Sequence, residues 1–207
     1  DATYATCPPT SNTWHISATS IHLNKKSERG HAWNTVLHLW KIPVFYWPYL
    51  SFPLTSQRQT GFLYGTFGSS SNSGAMLSLP FYINLAPNFD DTFTPVFYSK
   101  RGTLFKNQFR YLTKDNQGQL DTSYLHHDRE TGANRKAFTF KNTGHYDQNW
   151  SSHIDYNYVG DQSFLQDFSS ISSAQVANQV LLNRSADLSY DGTHTSLYGI
   201  MQSYQVI

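Results

Sequence analysis

The chain has 207 residues, with 15 Lys+Arg against 14 Asp+Glu, a formal net charge of +1 and a single Cys. Charged residues make up 14% and aromatic residues 16%, against about 25% charged in a typical soluble domain; charge replaced by rings and neutral polar residues excludes intrinsic disorder and a helix-rich enzyme. So small a net charge gives no electrostatic case for nucleic acid or an acidic membrane surface, and partners must be recognised through shape and apolar contact.

Taken in chain order, the N-terminal stretch Asp1-Ala2-Thr3-Tyr4-Ala5-Thr6 has neither the basic start nor the apolar core of a signal peptide. No later run approaches the ~18 apolar residues of a spanning helix. Cys7 has no internal partner, so it is either a buried thiol or half of a bridge whose other cysteine lies elsewhere. Residues 14–23 and 31–40 read as two strands joined by a charged turn, Asn24 to Gly30. The segment Ile42 to Pro53 is apolar and aromatic and carries Pro43, Pro48 and Pro53 at intervals of five. Proline removes a ladder donor and restricts the residue before it, which rules out a central strand. The expectation is a stiff extended connector with buried rings, followed by a boundary between two structural units after residue 57.

Beyond that boundary the dominant signal is a period of two. Trp150, Ile154, Tyr156 and Tyr158 fall on one side of a strand, with Ser151, His153, Asp155 and Asn157 on the other. Comparable runs cover 61–68, 74–84, 91–100, 105–112, 118–126, 135–144, 179–191 and 194–206, separated by Ser, Asn, Asp and Gly turns. No segment reads as a long amphipathic helix. Strands of roughly 9–11 residues with a dyad repeat and rings near their ends are the pattern of an outer-membrane β-barrel. A soluble β-sandwich that binds carbohydrate through surface aromatics such as Trp33, Trp40, Trp47 and Trp150 has a similar composition, with shorter strands of about 5–6 residues. The two readings part on solubility without detergent.

Catalytic patterns are absent: there is no Gly-x-Ser-x-Gly, phosphate loop or His-Glu-x-x-His. His126-His127-Asp128 is the densest potential metal cluster, but neighbours on a strand point to opposite faces, and a solvated polar turn is the simpler reading. Asp90, Asp91 and Asp155 carry no spacing that pairs them as glycosidase acids. We expect no enzyme, no cofactor and no resident metal.

A set of blocks in fixed order carries a family resemblance. These are Pro43-Val44-Phe45-Tyr46, Pro48-Tyr49-Leu50 and Pro53; Arg58 and Gly61-Phe62-Leu63; Pro80-Phe81-Tyr82 with Asn84-Leu85-Ala86-Pro87-Asn88 and Thr94-Pro95; and Lys100-Arg101-Gly102 with Phe109-Arg110-Tyr111-Leu112. From about Tyr4 to Leu112 the sequence closely resembles LptD, the lipopolysaccharide-assembly family also called organic solvent tolerance protein OstA. Beyond Leu112 the resemblance rests mainly on strand pattern, including Trp150 to Tyr158.

The resemblance implies an all-β protein: the end of a periplasmic β-jelly-roll over residues 1–57, including the proline-rich connector, then the first strands of a large antiparallel outer-membrane β-barrel over 58–207. The chain then reads as part of a longer polypeptide whose remaining barrel strands would cover its open edges. The implied cargo is lipopolysaccharide. Its tails would leave through a lateral seam beside the first strands, and its sugars would pass through the barrel lumen. Implied partners are a plug lipoprotein of the LptE type in the lumen and a periplasmic bridge protein of the LptA type reached through the rest of the jelly-roll. At the lateral gate the family places a proline in each of the first two barrel strands. Pro80 fits the second, whereas Gly65 stands at the first, weakening the strand by entropy and missing packing rather than by a lost donor. Gly65→Val is therefore expected to tighten the seam. Cys7 matches a family cysteine that bonds to one near the far end of the barrel, in an oxidising compartment.

Overall fold

A hydrophobic period of two suits a sheet with unlike faces and leaves little for a helix to bury, and the described part of the chain is antiparallel strand almost throughout. The computed structural model describes residues 2–4, 14–26, 28–39, 42–55, 58–168 and 181–207. It divides into two compact units, Asp1–Gly61 and Phe62–Ile207. Cys7 lies outside the described residues.

The first unit is a five-stranded sheet of β1 (Ala2–Tyr4), β2 (Trp14–Ala18), β3 (Ser20–Asn24), β4 (Arg29–Leu39) and β5 (Ile42–Pro53). The run expected as one strand over 14–23 is β2 followed by β3, stepping at Thr19, whose N–H bonds the Trp33 carbonyl at 3.0 Å. β2 and β3 share one edge of β4, and β5 lies along the other. The expected connector is thus a paired strand. Among the described residues it pairs with β4 alone, as its prolines demand, and the ladder is irregular at Pro43 and Pro48. The register shifts between Leu37 and His38, where Pro43 enters, and no pairing joins Pro48 to Asn34, whose φ is 49°. Nor are the rings of β5 buried as expected: Phe45, Tyr46 and Tyr49 are about half exposed, at 47%, 55% and 49%. An edge strand of a single sheet layer has no second layer to cover its side chains. Residues after β5 fold back on the β3–β4 turn, Leu54 N–H bonding the Glu28 carbonyl at 2.9 Å and Arg29 Nη2 the Thr60 carbonyl at 2.7 Å.

The second unit contains β6 (Gly61–Phe62), β7 (Thr66–Ser70), β8 (Gly74–Ser78), β9 (Phe81–Ala86), β10 (Phe89–Tyr98), β11 (Gly102–Leu112), β12 (Asn116–Leu125), β13 (Arg135–Tyr146), β14 (Trp150–Val159), β15 (Leu181–Asp191) and β16 (Ser196–Val206). They form one antiparallel sheet in sequence order, with β6 and β9 continuing the lines of β7 and β8. The expected strands over 61–68 and 74–84 therefore exist, each broken once. Among the described residues β16 and the β6–β7 line are the sheet's edges. Connections at one end are short turns, at 87–88, 113–115, 147–149 and 192–195; the other end carries the turns 71–73 and 99–101, the longer connection 126–134, and residues 160–168, which leave β14. One helix that the sequence pattern does not announce, α1 (Phe164–Phe168), sits in the last of these. Phe164 and Phe168 bury themselves with Val96, Tyr98, Leu104, Leu125, Val159 and Leu182 in the main apolar cluster of this unit.

Candidate functional site

The two strand breaks in the second unit face each other. β7 pairs with β8 from Thr66 opposite Ser78 to Ser70 opposite Gly74. β6 pairs with β9, and between these short ladders lie 63–65 on one line and 79–80 on the other. A single backbone bond bridges the gap, Leu63 N–H to the Pro80 carbonyl at 2.9 Å, while Leu79 N–H turns the other way to the Pro95 carbonyl at 3.1 Å. In an extended strand successive amides point to opposite sides. The nitrogen of residue 80 therefore points at the edge line, and proline leaves it with no hydrogen to donate. Gly65 lies in the same gap. A Cβ added there would stand 3.1 Å from both the Ser78 carbonyl oxygen and Leu79 Cδ2, so glycine permits the close approach. The edge line is apolar and open: Phe62, Tyr64 and Phe67 are 75%, 99% and 89% exposed.

Register pairing fixes the two faces of the rest of the sheet. Thr92, Gln108, Asp121, Thr139 and Asn157 are successive cross-strand partners on one face. Phe109, Leu120, Phe140 and Tyr156 are successive partners on the other. The polar face is densely hydrogen-bonded. Arg110 grips Asp90 with two bonds of 2.7 and 2.9 Å, and Gln108 and Gln119 each donate to Asp121. Asp91, next to Asp90, faces the opposite way and takes two bonds of 2.8 Å from Asn107; these aspartates form no acid pair. The ring-bearing face exposes Phe93, Phe97, Phe105, Tyr124, Phe138, Tyr156 and Leu188. Toward the short-turn end Tyr111 donates to Asn142 at 2.6 Å, Tyr146 to Asn116 at 2.8 Å, and the Trp150 and Tyr190 rings lie 5.0 Å apart.

At the other end a buried ionic cluster ties the connections together. Arg101 donates to the Asn72 carbonyl (3.0 Å), Asp128 (2.8 Å) and Asp167 (2.7 Å). Arg135 donates to Asp128 (2.7 Å), twice to Asp161 (2.6 and 2.7 Å) and to Asp167 (2.9 Å). Ser73 donates to the Asp167 carbonyl. Both guanidinium groups lie over the Phe168 ring, at 5.6 and 5.0 Å. Asp128 is therefore not part of a solvated turn, as its histidine neighbours suggested. It is fully buried because two arginines and the Glu130 N–H satisfy it, while His126 and His127 are exposed. Burial alone would push its carboxyl up; the Glu130 N–H, Arg101 and Arg135 together hold it below the usual carboxylate range. No sequence spacing links residues 72, 101, 128, 135 and 167; only the shared end of the sheet does. Among the described residues no group of three or more His, Cys, Asp or Glu is placed to hold a metal ion.

One long antiparallel sheet, polar on one face and ringed on the other, with only short turns at one end and its longer connections at the opposite end, has the features of outer-membrane β-barrel wall. No helix among the described residues is long and apolar enough to cross a membrane. Residues 133–207 match the model of the family described as LptD, LPS transport system D. The LPS-assembly protein LptD of Coxiella burnetii is 38% identical over 239 aligned residues, covering 100% of this chain and 27% of the relative. The LptD proteins of Nitrosococcus oceani (38% over 207 residues) and Idiomarina loihiensis (37% over 209) also align with 100% of the chain, and with 28% and 27% of their own lengths. The chain belongs to the LptD family, and it spans about a quarter of the length of the curated relatives it matches. The family model thus recognises the later part of the chain, where the resemblance rested mainly on strand pattern.

Proposed function

We propose that this chain contributes to lipopolysaccharide assembly at the outer membrane, as the end of a periplasmic jelly-roll followed by the first wall strands of the translocating barrel. In this reading the ring-bearing face of β10–β15 meets lipid, and the polar face lines the lumen through which sugars pass. The gap between Leu63–Gly65 and Leu79–Pro80 loosens the line beside the lateral seam. A molecule with several acyl chains stays out of water at about 0.8 kcal/mol per buried CH₂, so its tails must pass from one apolar environment to another, and a seam in the wall meets that need. The role is transport and not catalysis. A plug lipoprotein of the LptE type would sit against the polar face, a bridge protein of the LptA type would reach the jelly-roll, and Cys7 would pair with a distant cysteine. The observation that carries the reading is the double break in the first two strand lines, on a chain 38% identical to LPS-assembly proteins.

The test uses the full-length protein with Pro80→Val, which gives residue 80 an N–H aimed at the edge line. Newly made lipopolysaccharide should reach the cell surface more slowly while the protein accumulates normally in the outer membrane. Unchanged delivery would remove the gap from the mechanism.

A further inference from the structure

The wall between β14 and β15 changes its chemistry toward the long-connection end. Backbone pairing stops at Tyr156 opposite Arg184, and side chains replace it beyond that point. Arg184 Nε donates to the Asn157 carbonyl at 2.9 Å and Nη2 to Gln205 Oε1 at 2.6 Å. Gln205 reaches from β16 past β15 to Val159, its Nε2 donating to the carbonyl at 2.7 Å and its Oε1 accepting the N–H at 3.2 Å. Arg184 is thereby fixed with its guanidinium carbon 5.2 Å from the Tyr156 ring centre and 5.6 Å from that of Tyr158. Lys136, the second residue of β13, lays its ammonium 5.9 Å from the same Tyr158 ring.

Two cations thus share one tyrosine on the ring-bearing face. Among the described residues neither has a carboxylate within 4.0 Å. The acids of this end, Asp128, Asp161 and Asp167, are already engaged by Arg101 and Arg135. Two unneutralised cations beside an amphipathic ring suit the depth at which a lipid's polar head meets its chains. The Lys136 ammonium and Arg184 Nη1, for which no hydrogen bond is made among the described residues, are charged donors of the kind that phosphate oxygens accept from.

We propose that Lys136, Tyr158 and Arg184 form a seat for the phosphate of a membrane-lipid headgroup, on the outside of the wall at its long-connection end and away from the strand lines that carry the gap. The proposal rests on the reading that this face meets lipid. The seat would hold the leaflet's anionic lipids against β13–β15 and fix the height of this part of the wall.

The test places the photo-reactive residue p-benzoylphenylalanine in the full-length protein at Phe138, the cross-strand partner of Tyr158, or at Phe105, on the same face away from the cations. The protein is reconstituted into phosphatidylcholine vesicles doped with either phosphatidic acid or diacylglycerol of the same chains. Capture at 138 should favour phosphatidic acid, by about fivefold for each cation that engages it. Lys136→Gln, at an exposed side chain that makes no hydrogen bond among the described residues, should reduce that preference about fivefold. Lys136→Gln with Arg184→Gln should abolish it, and capture at 105 should show none. Equal capture of the two lipids at 138, a preference that survives both substitutions, or its loss to competing inorganic phosphate would overturn the seat. Lipid captured at neither position would overturn the lipid-facing reading, and the seat with it.

Discussion

Arg101 and Arg135 keep only 6% and 2% of their side-chain surface, and burial on that scale is tolerable only because each guanidinium is matched by carboxylates and carbonyls. Removing one partner leaves charge stranded in a poorly solvated place, at a cost of roughly 3–5 kcal/mol. Arg135→Met should therefore destabilise the full-length protein by that order, since Asp161 loses its arginine and Asp128 and Asp167 are left to share Arg101 alone. Urea unfolding in detergent, followed by loss of the heat-modifiable band on gels, measures it; a change below about 1 kcal/mol would mean that the cluster is solvated. The same cluster sets an acid limit. The Asp128 carboxyl titrates below its unfolded value, near 3.9. Its stabilising contribution is therefore complete above that value and is lost as pH falls through the lower folded one. The 126–134 connection should resist trypsin at Arg129 at neutral pH and at about pH 5, and become labile to an acid-active protease only below about pH 4. Loosening that begins well above pH ~5 would show that Asp128 does not set the limit.

The strand lines are where the chain's sequence is most legible and also where it misleads. Alternation located every strand of the second unit because side-chain period and pleat are one property. Pro80 marked the break in the second line because a missing N–H is written in the residue itself. The bond from Leu63 to the Pro80 carbonyl was not legible, since it depends on which residue happens to oppose the break. The pairing of β5 was hidden for a similar reason: three prolines forbid a central strand, but an edge strand with two ladder irregularities accommodates them. The buried ionic cluster left no periodic trace at all. Gly65 shows how geometry changes a forecast. Valine was expected to tighten the seam, yet its Cβ would press on the Ser78 carbonyl at 3.1 Å, closer than ordinary packing. Gly65→Val should therefore push the β7 line off β8 and speed amide hydrogen exchange at Thr66 and Gly68. Pro80→Val should act the other way, adding one bond worth about 0.5–1.5 kcal/mol and slowing exchange at Leu63. Slower exchange at Thr66 and Gly68 in Gly65→Val would show that Leu79 yields and the original expectation holds.

At the scale of the whole sheet, two readings of the composition competed: rings stacked on a second layer or on sugars in a soluble sandwich, or rings turned to hydrocarbon. Among the described residues all the strands of the second unit join one sheet, and no second sheet within the unit covers Phe105, Phe138 or Leu188. The difference between the faces can be measured at adjacent residues. Thr139 and Phe140 lie mid-strand in β13, Thr139 between Asp121 and Asn157 on the polar face, Phe140 between Leu120 and Tyr156 on the ringed one. A lysine at 139 meets carboxylates, carboxamides and water. If the ringed face meets lipid as proposed, an ammonium at 140 would be held in hydrocarbon, too far from either interface for its stem to carry the charge out. Phe140→Lys should destabilise the barrel in bilayers by about 2–4 kcal/mol, whereas Thr139→Lys should stay within about 0.5 kcal/mol of the parent. Equal effects at the two positions would mean that both faces see water, and a wall with water on both faces does not separate a lumen from a membrane.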